Sequence, residues 1–235
     1  MFVFFYYLPP KTFNLLNMNV IPAILEPDFQ SILKELTLLR GLTKKVQIDL
    51  SDGISGALKT WLPSQKEILP DEFSYEFDVM LYDWKGAVTN CLLQKASSIV
   101  VHVDNYNDED LMALVTMIKP HHVELGISVS NDKSYIFHKT TLNKIKLLYG
   151  NVFVQVMGMR QVVQRGQPFD EEVLKRVAYF KKDFPGMLVQ VDGGVNVGTI
   201  GYLHDAFVDT VIVGSAIFVL FDVKVAFESL KAKAR

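Results

Sequence analysis

A closed (β/α)8 barrel is the fold class predicted by three observations: a length of 235 residues, eight short β-branched runs, and amphipathic stretches between them with no break in composition. The runs are Val20–Leu25, Val46–Leu50, Tyr75–Leu81, Ser98–Val103, Val123–Val129, Val152–Met157, Leu188–Asp192 and Thr210–Gly214. Strands that alternate with helices pair in parallel, because each crossover helix carries the chain back across the sheet. Eight such units favour closure over an open doubly wound sheet. Between the first two runs, Phe29, Ile32, Leu33, Leu36 and Leu39 recur at helical spacing, and Pro27-Asp28 supplies a helix start.

Residues 18–235 therefore read as one barrel domain. The preceding MFVFFYYLPPKTFNLLN is a separate aromatic extension, residues 1–17. It lacks the basic region and cleavage site of a signal peptide, and its apolar run stops at Pro9-Pro10, short of the roughly 20 residues a membrane span needs. Because Met18 stands directly before the first strand, two readings stay open. Either translation starts at Met18 and the extension is a start-site artefact, or the extension is a strap that buries its aromatic surface between subunits of a homo-oligomer.

Composition narrows the function classes. Hydrophobic residues make up 49% and charged residues 21%, enough to build a core. The net charge of -2, with cations scattered along the chain, leaves no footprint for nucleic acid. Cys91 is the only cysteine, so no internal disulfide forms, and a reducing, cytoplasmic setting is expected.

Strand alternation converts position into geometry. With Val46 and Ile48 turned to the helices, Gln47 and Asp49 face inward, Asp49 higher toward the mouth. The same rule sends Met80, His102, Met157, Gln190 and Asp192 inward. Two carboxylates thus meet at the C-terminal ends of strands, where barrels place their chemistry. An inward carboxylate is costly to desolvate without a partner, so Asp49 and Asp192 need a role. Such a pair suits proton transfer on opposite faces of a carbon beside a carbonyl. Each aspartate taken alone also suits capping a turn, since Asp52-Gly53 and Gly193-Gly194 follow. His102 alone reads as a hydrogen-bonded core histidine more readily than as a metal ligand.

The segments Asp192-Gly193-Gly194-Val195-Asn196 and Gly214-Ser215-Ala216-Ile217-Phe218 follow the seventh and eighth strands. Their small residues open helices whose free N–H groups form an anion site, which makes Gly193, Gly194, Gly214 and Ser215 the candidate phosphate cradle.

On these motifs, together with Ile21-Pro22-Ala23-Ile24-Leu25, Asp28-Phe29 and Ile48-Asp49, the chain resembles the ribulose-phosphate 3-epimerase family from Val20 to Leu230. The resemblance implies an isomerase that interconverts ribulose 5-phosphate and xylulose 5-phosphate with the help of a divalent metal. It makes Asp49 and Asp192 the acid and base, and the metal's carboxylate ligands if an ion is bound. It places Gln47, Met80, Met157, Gly166 and Gln167 in the substrate pocket. Gln47 and Met80 occupy the positions of the family's two metal-ligating histidines; Ala23 replaces its usual serine, and Ser51 and Tyr82 replace methionines. Two carboxylates and an amide suit weak Mg²⁺ or Mn²⁺ binding better than a tight Zn²⁺ site, and no organic cofactor is expected. The loop after the sixth strand keeps Gly166, Gln167 and Phe169 and adds Arg160 and Arg165, either phosphate-gripping groups or solvated charges. A barrel decarboxylase or aldolase would need a lysine among the strand-end carboxylates, and Asp49-Leu50-Ser51-Asp52 has none. The rival to the epimerase is an inactive barrel that binds a phosphorylated ligand.

Overall fold

A computed structural model describes residues 17–54, 58–103, 106–129, 135–159, 168–219 and 222–235. Eight parallel strands close into a barrel in sequence order: β1 (Asn19–Ile24), β2 (Lys45–Ser51), β3 (Ser74–Met80), β4 (Ser98–His102), β5 (Glu124–Val129), β6 (Val152–Met157), β7 (Val189–Asp192) and β8 (Thr210–Val213). β8 returns to pair with β1, Ile21 opposite Ile212, so no edge is left open. The helices are α1 (Phe29–Leu39), α2 (Trp84–Leu93), α3 (Asp108–Ile118), α4 (Tyr135–Tyr149), α5 (Glu172–Asp183), α6 (Ile200–Asp205), α7 (Ser215–Phe218) and α8 (Val223–Lys233). The sequence places each strand within a residue or so at either end. The predicted start of α1 is present too: Asp28 accepts a hydrogen bond from the Ser31 N–H at 2.9 Å, satisfying a donor the helix cannot pair itself.

The strict alternation of strand and helix fails once. Between β2 and β3 the described residues 52–54 and 58–73 form no helix. Trp61, Leu69 and Phe73 cover the sheet instead. The segment is pinned by the Trp61 indole N–H on Glu67 (2.7 Å) and by Gln94 of the α2 C-cap. Gln94 accepts from the Leu69 N–H and donates to the Ser64 and Glu67 carbonyls. These side-chain bonds do the work a helix's own backbone bonds would otherwise do.

The apolar core is a shell between sheet and helices. Val46, Ile48 and Leu50 of β2, Phe77 and Val79 of β3 and Val189 and Val191 of β7 all point outward into it, against Ile32, Leu36, Val88, Leu114, Val177 and Phe180 of the helices. The barrel interior is different: its separate apolar cluster is only Ile21, Ala23 and Ile212, on β1 and β8. Elsewhere the inward positions are mostly polar. Among the described residues no helix is long and apolar enough to cross a membrane.

One aromatic does enter the barrel. Phe153 on β6 sits opposite Gly126 on β5, and a Cβ on Gly126 would lie 2.5 Å from the Phe153 ring and 2.7 Å from a Val100 methyl. Gly126 is therefore glycine because the ring fills its side-chain space. Gly126→Ala is expected to cost about 1–3 kcal/mol by overpacking, measured from urea midpoints, and Phe153→Leu in the same chain is expected to recover most of that loss.

Candidate active site

The inward face of the strands carries a connected polar chain from the floor of the barrel to its mouth. At the floor, Lys45 forms an ion pair with the fully buried Glu76 (2.9 Å) and donates to Ser98 (2.9 Å), which donates in turn to Glu124 (3.2 Å). Above them Gln190 donates to Glu76 and to Gln155, each at 2.7 Å. Gln155 passes its own N–H to Asp78 (2.9 Å), whose other oxygen accepts from His102 Nε2, also at 2.9 Å. Glu76 and Asp78 are fully buried carboxyls whose desolvation is offset by Lys45, His102 and two amides.

The sequence placed Gln190 and His102 inward but missed Glu76, Asp78 and Gln155. The signal was there: Glu76, Asp78 and Met80 alternate on β3, and Gln155 and Met157 on β6, with the same period of two that exposed Asp49. His102 is a hydrogen-bonded interior residue, as its lone placement suggested.

At the mouth, Asp49 lies near the end of β2 and Asp192 is the last residue of β7, both partly exposed. Gln47, fully buried one inward step below Asp49, donates its amide to Asp49 Oδ1 at 2.8 Å and lies near enough to Asp192 to lower its pKa. Enclosure of the Asp192 carboxyl by the barrel raises its pKa well above its ordinary value, and the negative charges of Asp49, Asp78 and Glu76 push it further in the same direction; the Gln47 amide opposes them. The two strand-end carboxyls are thus coupled, and Asp192 is shifted toward its protonated form.

Met80 ends β3, half-buried, and Met157 ends β6, buried, with its sulfur accepting from Ser128 (3.4 Å). Asp52 is committed elsewhere: it accepts from the Ile54 and Tyr82 N–H groups, tying the loops after β2 and β3 together. Ser51 is buried and accepts from the Gly53 N–H, whereas Tyr82 is 87% exposed. Gly166, Gln167, Arg160 and Arg165 lie outside the described residues.

Gly193 and Gly194 have positive φ values of 101° and 67°. A Cβ on Gly194 would meet the Phe169 backbone at 2.8 Å, so this turn needs glycine for its own packing. Gly214 caps the short α7, and Ser215 begins it. The Gly158 N–H donates to the Asp192 carbonyl at 2.6 Å, while a Cβ on Gly158 would lie 2.3 Å from the Gly193 oxygen. The end of β6 therefore holds the Asp192 backbone in place, a contact no sequence pattern had pointed to.

The sequence pattern of the ribulose-phosphate 3 epimerase family matches residues 19–218. This chain belongs to the ribulose-phosphate 3-epimerase family. A ribulose-phosphate 3-epimerase of Helicobacter pylori (strain J99) is 26% identical over 218 residues, which span 91% of this chain and 97% of that protein. Among solved structures, a ligand complex of KGPDC from Streptococcus mutans superposes with a TM-score of 0.69 at 17% identity, covering 94% of this chain and 98% of that one. A 3-hexulose-6-phosphate synthase of Salmonella typhimurium gives 0.67 at 14%, covering 92% and 98%. At these identities the structural likeness speaks for the barrel alone.

The divalent ion that the family resemblance implies does not fit the donors present. Among the described residues no three His, Cys, Asp or Glu side chains are grouped to hold one. Gln47 turns an N–H toward Asp49, Met80 offers a thioether, and His102 Nε2 is spent on Asp78.

The raised pKa of Asp192 has a sign for stability. Between the usual carboxylate range and the raised value, the folded chain binds the proton that the unfolded chain has released, so unfolding free energy falls as pH rises through that window. Asp192→Asn is expected to remove this fall and to be more stable than the parent on the alkaline side, read from urea midpoints between about pH 4 and about pH 9.

Proposed function

We propose that this chain is a sugar-phosphate epimerase that moves a proton at C3 of ribulose 5-phosphate, with Asp49 as base and Asp192 as acid. The observation that carries the reading is the coupled pair: two strand-end carboxyls at one mouth, each acting on the other, with the Asp192 pKa shifted upward. Asp49 removes the C3 proton from one face, the electrons move onto the C2 carbonyl oxygen, and Asp192 returns a proton to C3 from the other face. The carbon is inverted, and the two carboxyl groups have exchanged protonation states. A second turnover in the reverse sense, or exchange with water, restores them.

The phosphate would rest on the backbone N–H groups of Gly193, Gly194, Gly214 and Ser215, beyond the strands where barrels commonly bind it. The enediolate charge needs hydrogen-bond donors in place of a metal, and the Arg160 and Arg165 side chains of the β6 loop are the cations the sequence offers for it. We further propose a cytoplasmic homo-oligomer, on the grounds of the lone buried Cys91 and the aromatic extension.

The second reading, a barrel that binds a phosphorylated sugar without turning it over, is favoured by the substituted histidine positions Gln47 and Met80. Incubation with ribulose 5-phosphate in D2O separates the two. Deuterium is expected at C3, and Asp192→Asn is expected to lower its entry by at least about a thousandfold while leaving inorganic phosphate affinity within about twofold. Absence of deuterium in the parent protein, with and without added divalent ion, would overturn the epimerase in favour of the binding protein.

A further inference from the structure

Gln47 carries a buried polar atom that the described residues leave unsatisfied. Its side chain is fully buried, its Nε2 donates to Asp49 Oδ1 at 2.8 Å, and its Oε1 has no hydrogen-bond partner among the described residues. Amide orientation is fixed here by chemistry: turned over, Oε1 would face the acceptor-only carboxylate of Asp49. The Nε2 group serves Asp49 directly, and Gln47 also lowers the Asp192 pKa, so the residue acts on both members of the pair.

On β3 the residue opposite Gln47 is Glu76, with Asp78 next inward, and neither hydrogen-bonds Oε1. Gln47 is paired in register with Ala23 on β1, and the interior side chains of β1 and β8 in that quadrant are Ile21, Ala23 and Ile212, which carry no donor. A buried acceptor without a donor is destabilising, so its retention points to a donor that arrives with a ligand.

We propose that Gln47 reads the substrate: its Oε1 accepts the hydroxyl hydrogen on the carbon held between Asp49 and Asp192, while its Nε2 keeps the two carboxylates aligned. The inference rests on the epimerase reading for the pose of that carbon, and it adds a specificity. A carbonyl oxygen cannot donate to Oε1, so Gln47 selects a free hydroxyl on the reacting carbon rather than the ketone beside it. The ligand class is a phosphorylated polyhydroxy ketone with an unblocked hydroxyl next to the carbonyl. A protonated Asp192 is the internal rival donor, and in that case the hydroxyl would not be recognised.

Gln47→Met, close in size and without donor or acceptor, tests this by calorimetry with three probes: D-ribulose 5-phosphate, its 3-deoxy analogue and inorganic phosphate. The parent chain is expected to bind ribulose 5-phosphate about tenfold more tightly than the 3-deoxy analogue, and the variant to bind both alike. Inorganic phosphate affinity is expected to stay within about twofold, a result that a merely structural role would not give. If the parent prefers ribulose 5-phosphate over phosphate but does not distinguish it from the deoxy analogue, the inference fails and the epimerase reading stands. If the parent binds ribulose 5-phosphate no better than phosphate, both fail. Should the variant not fold, the parent's comparison of the two sugars still decides.

Discussion

A carboxylate facing into a barrel must find a donor, and this constraint organises the interior. Glu76 and Asp78 are fully buried, so the residues around them are not free to be apolar. Lys45 and Gln190 answer the first, and Gln155 and His102 answer the second. Because Gln155 and Gln190 each donate at one end, and Gln155 also accepts from Gln190, removing one member leaves its neighbour unsatisfied. The chain thus ties β2, β3, β4, β6 and β7 together from inside, while the apolar shell does so from outside.

The same constraint shapes the mouth. Four interior carboxylates share one electrostatic environment, and Asp192 bears the consequence in its raised pKa. A proton held on one aspartate and released from the other is what a two-base exchange at a single carbon requires. The interior carboxyls thus reach the mouth electrostatically, because Asp78 and Glu76 both push the Asp192 pKa up. The backbone of Asp192 is held separately, by the Gly158 N–H at the end of β6. Geometry and protonation are therefore set by different neighbours.

Where the family's histidines are absent, the replacement is more than a loss. Gln47 cannot supply an imidazole, but its amide satisfies Asp49 and meets Asp192, two groups that would otherwise repel across the mouth. Met80 brings a soft, flexible surface to the same rim. An amide and a thioether suit a hard cation less well than imidazoles do, and of the two only Gln47 brings hydrogen bonding.

The sequence by itself determined the barrel, the eight strands, the inward direction of Gln47, Asp49, Gln190 and Asp192, and membership of the family, because a period of two and short motifs at strand ends are local properties of a chain. It could not determine which inward residues would meet. Asp78 and Gln155 are 77 residues apart, and Gln190 and Glu76 are 114 apart, so their contacts exist only after closure. It also missed the irregular segment before β3, where Trp61 and Gln94 stand in for a helix through bonds between distant side chains and backbone. Only the tertiary structure decided that the Asp192 pKa is raised, since a pKa follows from burial and from charges that folding brings near.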